Sequence, residues 1–220
     1  MPFDAVLFDF SGTLFHIESA AEAVAAALGP DGARFVSDLE RFGAINGSGT
    51  PAELPEHLVD VWERRDLSHD AHRAAYSGLG RYAGLSCEQA DLVYDRGVTP
   101  AAWHPFPDTV EVLRRLYEGA VPVAVVSNIG WDPRPVLAAY GVIEYLPVLV
   151  LSDERGVLKP DPSIFRMAIA ELDADPARTV MVGDNAHADG AATAIGCAFR
   201  LVSPQADRSP TALLDAVTAR

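Results

Sequence analysis

The sequence predicts an α/β fold: a Rossmann-like parallel sheet core with an all-helical segment inserted after its first strand. Three observations carry this. Short apolar runs recur at residues 5–8, 121–126, 148–151, 180–182 and 198–202, each the length of a buried strand. Helical patterns lie between the later runs, at 109–117, 133–140, 162–172 and 188–195, with a last one at 211–219. Residues 16 to about 103 break the rhythm and show helical stretches only. Strands that alternate with helices imply parallel pairing, because a parallel connection must cross back over the sheet.

Taken in chain order, the first run, Ala5-Val6-Leu7-Phe8, stops at Asp9 and a Ser11-Gly12-Thr13 turn. A carboxylate at the carboxyl end of a buried strand stands where open α/β sheets bind ligands. The inserted segment reads as helices near 17–28, 31–44, 52–65, 69–82 and 87–97. Gly29-Pro30, Gly47-Ser48-Gly49-Thr50-Pro51 and the stretch 97–100 punctuate it. The chain returns at Trp103-His104-Pro105-Phe106-Pro107, which divides it into a core of 1–15 and 104–220 and a helical domain of 16–103. Beyond the return, Asp108 and Glu111 stand three apart like a capping box. Asp132-Pro133 and Asp161-Pro162 each set a cap residue before a proline suited to the first helical position.

Bulk properties narrow the function. Net charge is −14 over 220 residues, and no basic cluster exceeds Arg64-Arg65, so nucleic acid and anionic membranes are not expected partners. The first ten residues carry Asp4 and Asp9 and no basic residue, unlike a secretory signal, and no stretch has the length of a membrane span. Cys87 and Cys197 fall in different predicted domains and read as buried, reduced thiols of a cytoplasmic protein. Oligomeric state is left open. Of 17 basic residues one alone is lysine, Lys159, in a chain that otherwise uses arginine. That singularity points to a position that needs ammonium chemistry.

Three further signals sit at strand ends or in the loops after them. Val125-Val126-Ser127-Asn128 ends the second core strand with a hydroxyl. Val157-Leu158-Lys159-Pro160-Asp161-Pro162 carries the lysine just before a helix. Val182-Gly183-Asp184-Asn185-Ala186-His187-Ala188-Asp189 ends the fourth strand with two carboxylates. A strand carboxylate, a hydroxyl, a lysine and an acidic pair can converge on one metal-and-phosphate pocket.

Each signal is weak by itself. Together, in this order, with Asp9-Phe10-Ser11-Gly12-Thr13-Leu14, they resemble the four motifs of the haloacid dehalogenase superfamily. The helical insert resembles that family's cap between the first and second motifs. The resemblance implies that Asp9 is the nucleophile, forming an aspartyl-phosphate. It implies Mg²⁺ held by Asp9, Asp184 and the backbone carbonyl of Ser11. Lys159 would neutralise charge on the transferring group, and Asp189 would orient Lys159 or a metal-bound water. Substrate contacts would come from Ser11, Gly12, Ser127, Asn128 and Lys159, and the substrate would be a small phosphorylated metabolite.

One position departs from the family pattern. Ser11 stands where the second aspartate of Asp-x-Asp-Gly-Thr is usual, and that carboxyl is the family's general acid. Its loss typically costs ~10²–10⁴-fold in rate, most for alkyl leaving groups and least for acyl phosphates. His16 and Glu18 follow the motif and could replace it, but they read first as solvated linker residues. His187, Trp131 and the arginines Arg64, Arg65 and Arg73 likewise read as structural or solvated before functional.

Two other readings stay open. A haloacid-type dehalogenase also lacks the second aspartate and needs no metal, though Gly183-Asp184 would then be idle. A phosphate-binding module that lost efficient catalysis is the other, with Ser11 its best support. A phosphonate-cleaving relative would need a cap lysine, and this chain has none.

Overall fold

The computed structural model describes residues 2–45 and 51–218. Its strands are β1 (Ala5–Phe8), β2 (Phe15–Ile17), β3 (Trp103–Pro105), β4 (Val123–Ser127), β5 (Val148–Leu151), β6 (Thr179–Gly183) and β7 (Ala198–Leu201). The α-helices are α1 (Ala20–Leu28), α2 (Val36–Arg41), α3 (Val59–Glu63), α4 (His69–Tyr82) and α5 (Cys87–Gly97), then α6 (Thr109–Glu118), α7 (Arg134–Ala139), α8 (Ser152–Arg155), α9 (Pro162–Leu172) and α10 (Ala212–Thr218).

Five strands form one sheet in the order β5-β4-β1-β6-β7, every neighbour parallel. β1 is central because its four residues are all buried, as a strand covered on both faces must be. Leu7, Ala124, Val126, Val150 and Met181 pack on Ile164, Phe165 and Ala168 of α9. Helices α6 and α10 lie against β4 and β6, with Leu113, Leu116, Leu213 and Val217 buried.

The chain divides into two compact units. One holds residues 1–16, 105–128 and 137–220, the other residues 17–104 and 129–136. The second is helical, and its core gathers Val24, Leu39, Trp62, Ala75, Tyr76, Leu79, Val93 and Tyr94. The sequence placed all of 104–220 in the core unit, yet 129–136 belongs with the helices. The reason is close packing. A Cβ on Gly130 would meet the Arg65 carbonyl and the His72 side chain, and Trp131 packs on Trp103 with ring centroids 5.4 Å apart.

Other expectations are corrected locally. The pattern of 16–103 shows helices only, but β2 and β3, at its two ends, pair as a separate two-stranded ribbon. At three residues each they are too short to leave a period-2 signal. The Asp108–Glu111 capping box does not form. Asp108 Oδ2 instead accepts the amides of Leu213 and Leu214 at the start of α10, and Glu111 pairs with Arg114 and Arg115. Asp161 does cap α9, accepting from the Ser163 amide with Pro162 at the first helical position. The 188–195 pattern is a 3₁₀ segment over Asp189–Ile195. Cys197 is buried, whereas Cys87, first residue of α5, is exposed. The punctuation at 46–50 lies outside the described residues. Among those residues, no helix is long and apolar enough to cross a membrane.

His72 is buried inside the helical unit, its Nδ1 3.0 Å from the Tyr94 hydroxyl. Burial, with Arg65 and His69 adding repulsion, pushes its pKa down to about 3. The folded state therefore binds fewer protons than the unfolded chain between about pH 3 and 6.5. Stability from this residue is complete above pH 6.5 and is lost as pH falls, on the order of 3–5 kcal/mol over the window. Urea titrations at pH 7.5 and 5 should show wild type losing more stability than His72→Gln over that interval. Equal losses in both would sink the expectation.

Candidate active site

Parallel strands in register bring their following residues to one edge. Phe8 of β1 lies beside Val125 of β4 and Val182 of β6, so Asp9, Ser127 and Asp184 emerge together at the carboxyl ends. The Asp9 amide still donates to the Val182 carbonyl (3.0 Å), which extends the ladder up to the carboxylate itself. Lys159 arrives from the turn before α9 and Asp189 from the start of the 3₁₀ segment after β6.

Lys159 is buried, and its Nζ donates to Asp9 Oδ1 at 2.7 Å and Asp189 Oδ1 at 2.6 Å. Asp189 Oδ2 accepts the Asn185 amide at 2.9 Å, so both of its oxygens are engaged. The sequence listed Asn128 among the substrate contacts. Its amide instead brackets the Lys159 main chain, Oδ1 accepting from Lys159 N at 2.7 Å and Nδ2 donating to Lys159 O at 2.9 Å. Asn128 therefore fixes where the lysine starts, and Asp189 fixes where its ammonium ends.

Charge is concentrated here. Oxygens of Asp9, Asp184 and Asp189 lie within 4.8 Å of one another. Burial pushes Asp9 up to about 7, the neighbouring carboxylates push the same way, and Lys159 opposes them. Burial and then Asp189 raise Asp184 to about 6. For Lys159 burial works to lower the pKa, but the fields of Asp9 and Asp189 outweigh it and hold the ammonium above its usual range. One cation thus stands against three carboxylates, and a second positive charge would relieve the imbalance.

The loop after Asp9 leaves one carbonyl without a hydrogen bond among the described residues. The Phe10 carbonyl accepts the Leu14 and Phe15 amides, and the Phe15 carbonyl accepts the Gly12 amide. The Leu14 carbonyl accepts from Phe106 N and Thr109 Oγ1, and Arg208 takes the carbonyls of Gly12 and Thr13. The Ser11 carbonyl accepts no hydrogen bond among the described residues. Two carboxylates and an unengaged carbonyl are hard oxygen donors, the set that Mg²⁺ prefers. The residues fit the ion. Gly12 is required for this shape. It sits at φ +79°, and a Cβ there would collide with the Asp184 carboxylate. The Gly12 amide itself donates to the Phe15 carbonyl within the turn.

The secondary candidates resolve within their own units. Glu18 is not a solvated linker residue: it is buried in a two-pronged ion pair with Arg96 at 2.7 and 2.5 Å. His16 is half-buried with its ring 5.1 Å from that of Phe106. Arg64 donates to the Asp60 carbonyl, Arg65 to that of Trp62, and Arg73 pairs with Asp91 and Asp95. His187 is exposed and Ser127 buried. The sequence reading missed Arg208, one of many arginines in a loop without a motif.

A parallel α/β core with this acidic cluster and buried lysine defines a hydrolase of the haloacid dehalogenase type. The family model described as haloacid dehalogenase-like hydrolase matches residues 3–196, and the chain belongs to that family. It is 32% identical over 212 residues to a plasmid-borne phosphoglycolate phosphatase of Cupriavidus necator, covering 92% of this chain and 81% of the relative. It is 26% identical to (S)-2-haloacid dehalogenase 1 of a Pseudomonas species, over 89% of this chain and 82% of that one. Among solved structures it is similar to a phosphatase of this family from Thermococcus onnurineus, at TM-score 0.58 and 26% identity, covering 93% and 88% of the two chains. A dehalogenase structure superposes at TM-score 0.69 and 21% identity, covering 98% and 97%, a likeness of fold. Relatives of both chemistries are thus present.

Removing the lysine head should expose the cost of the carboxylates. Lys159→Met in EDTA should lose about 3–5 kcal/mol of unfolding free energy at pH 8. The loss should shrink at pH 5, where Asp9 takes up a proton. Urea denaturation at the two pH values measures it, and a pH-independent loss would contradict the pairing described above.

Proposed function

We propose that the protein is a Mg²⁺-dependent phosphohydrolase of a small phosphorylated metabolite that works through an aspartyl-phosphate on Asp9. The observation that carries this is the buried Lys159 ammonium on Asp9 Oδ1, in a cluster with the carboxylates of Asp184 and Asp189. Asp9 attacks phosphorus while the bond to the leaving oxygen breaks. Water then hydrolyses the acyl phosphate, releasing phosphate and restoring the carboxylate. Mg²⁺ held by Asp9, Asp184 and Ser11 O would add the positive charge that lets an anion approach a phosphate.

Lys159 keeps Asp9 oriented and offers its ammonium to the phosphoryl oxygens, with the Ser127 hydroxyl as a further donor. Asp189 holds Lys159 from the far side. Asn128 does the same through the main chain. The helical unit serves in this reading as the cap that selects the substrate. At position 11 a hydroxyl cannot exchange a proton near neutral pH. A leaving group that needs no protonation, such as an acyl phosphate carboxylate, is therefore the favoured substrate class.

The dehalogenase reading keeps one specific support, the relatives named (S)-2-haloacid dehalogenase. It is separated by metal. Wild type should release phosphate from acetyl phosphate with Mg²⁺, at least ~10²-fold faster than from an alkyl phosphate. EDTA and Asp9→Asn should each abolish release. Chloride release from 2-chloropropionate in EDTA, without phosphatase activity, would transfer the site to dehalogenation. Ligand binding without turnover of either substrate would leave a binding module.

Ser11→Asp restores the missing carboxyl without touching the metal carbonyl. It should raise alkyl phosphate turnover by about 10²–10⁴-fold and change acetyl phosphate turnover little. An equal gain on both substrates would mean that leaving-group protonation was not the deficit.

A further inference from the structure

Arg208 lies outside the four motifs, in the loop between β7 and α10, and is 7% exposed. Its guanidinium donates to the Thr13 carbonyl at 2.6 Å, the Gly12 carbonyl at 3.3 Å and the Ser203 carbonyl at 3.2 Å. It is stacked on the Phe106 ring at 3.5 Å from the centroid. Its buried Nε has no hydrogen-bond partner among the described residues. Burial lowers its pKa to about 10, while Asp108 and Asp184 favour the charged form. A buried cation is costly, and two of its three hydrogen bonds go to the turn that follows Asp9.

The turn needs this anchor for a reason of its own. Three successive carbonyls, those of Ser11, Gly12 and Thr13, compete for direction around a glycine in the left-handed region. Arg208 takes the second and third, and the first is left as the one without a hydrogen-bond donor. Pro204, from the same loop as Arg208, would lie 3.2 Å from a Cβ on Gly12, so the loop also closes over the turn.

We propose that Arg208 is a positioning residue of the nucleophile turn. By holding the Gly12 and Thr13 carbonyls, it keeps the Ser11 carbonyl and the Asp9 carboxylate directed at the cation site. The metal part of this proposal rests on the phosphohydrolase reading, whereas the ordering of the turn does not. Arg208 acts through the turn and touches no reacting group. A fork of donors serves two carbonyls at once, which a lysine cannot reproduce fully.

The test compares wild type, Arg208→Lys and Arg208→Met, each checked for native circular dichroism. Hydrogen exchange of the Gly12, Leu14 and Phe15 amides reads the turn directly, and Mg²⁺ titration reads the site. Arg208→Met should exchange faster at these amides than at those of β4, and should weaken Mg²⁺ binding about 10–100-fold. At saturating Mg²⁺ the KM for acetyl phosphate should stay within about twofold, and Arg208→Lys should recover part of the affinity. Unchanged protection of the turn in a folded Arg208→Met protein overturns the proposal, whatever the metal result. Faster exchange with unchanged Mg²⁺ affinity overturns its link to the cation site. If wild type itself binds no Mg²⁺, the phosphohydrolase reading fails, and the exchange data alone decide the role of Arg208. If Arg208→Met does not fold, the comparison of wild type with Arg208→Lys supplies the same readouts.

Discussion

A single ammonium group, buried between two carboxylates, governs the active-site edge. Lys159 must be there for Asp9 and Asp189 to be buried as charges at all, since uncompensated carboxylates in a dry site cost several kcal/mol each. The rest of the edge follows from that requirement. Asn128 exists at the end of β4 to fix the Lys159 main chain, and the Asn185 amide fixes the far oxygen of Asp189. The sheet provides the frame, because parallel register delivers β1, β4 and β6 to the same rim.

The compensation is incomplete, and this is where chemistry enters. Burial, with the neighbouring carboxylates adding to it, raises Asp9 and Asp184 well above ordinary carboxylates. A structural ion-pair network would have closed its balance with a second lysine or arginine. Arg208, whose charge reaches Asp184, is turned to backbone carbonyls. The carboxylates of the cluster and the unengaged Ser11 carbonyl are oxygen donors of the kind a hard cation takes.

Much of this was legible in the sequence. The apolar runs marked the five core strands, the Asp161-Pro162 pair marked the start of α9, and the singular lysine marked its own importance. The failures have physical causes. Asp108 looked like a cap for the helix that follows it, but tertiary contact brings two amides of α10 to its carboxylate, and those win over a local bond. Glu18 looked like solvent-exposed linker because its partner, Arg96, is far away in the chain. The 129–136 segment looked like core because nothing in its composition records that Gly130 lies against Arg65 and His72.

What the sequence by itself determined is the identity and order of the polar groups: a carboxylate, a hydroxyl, a lysine and an acidic pair, each at a strand end or in a loop beside the sheet. These are local facts, since periodicity and turn residues place a side chain relative to its own element. Tertiary structure decided which of their neighbours find partners within the chain. Asn128 and Gly12 direct their groups at protein backbone, and Arg208 enters the site from a loop without a motif. Such assignments depend on where a bond's other partner lies, and hydrogen bonds across 31 to 196 residues of chain leave no trace in local pattern.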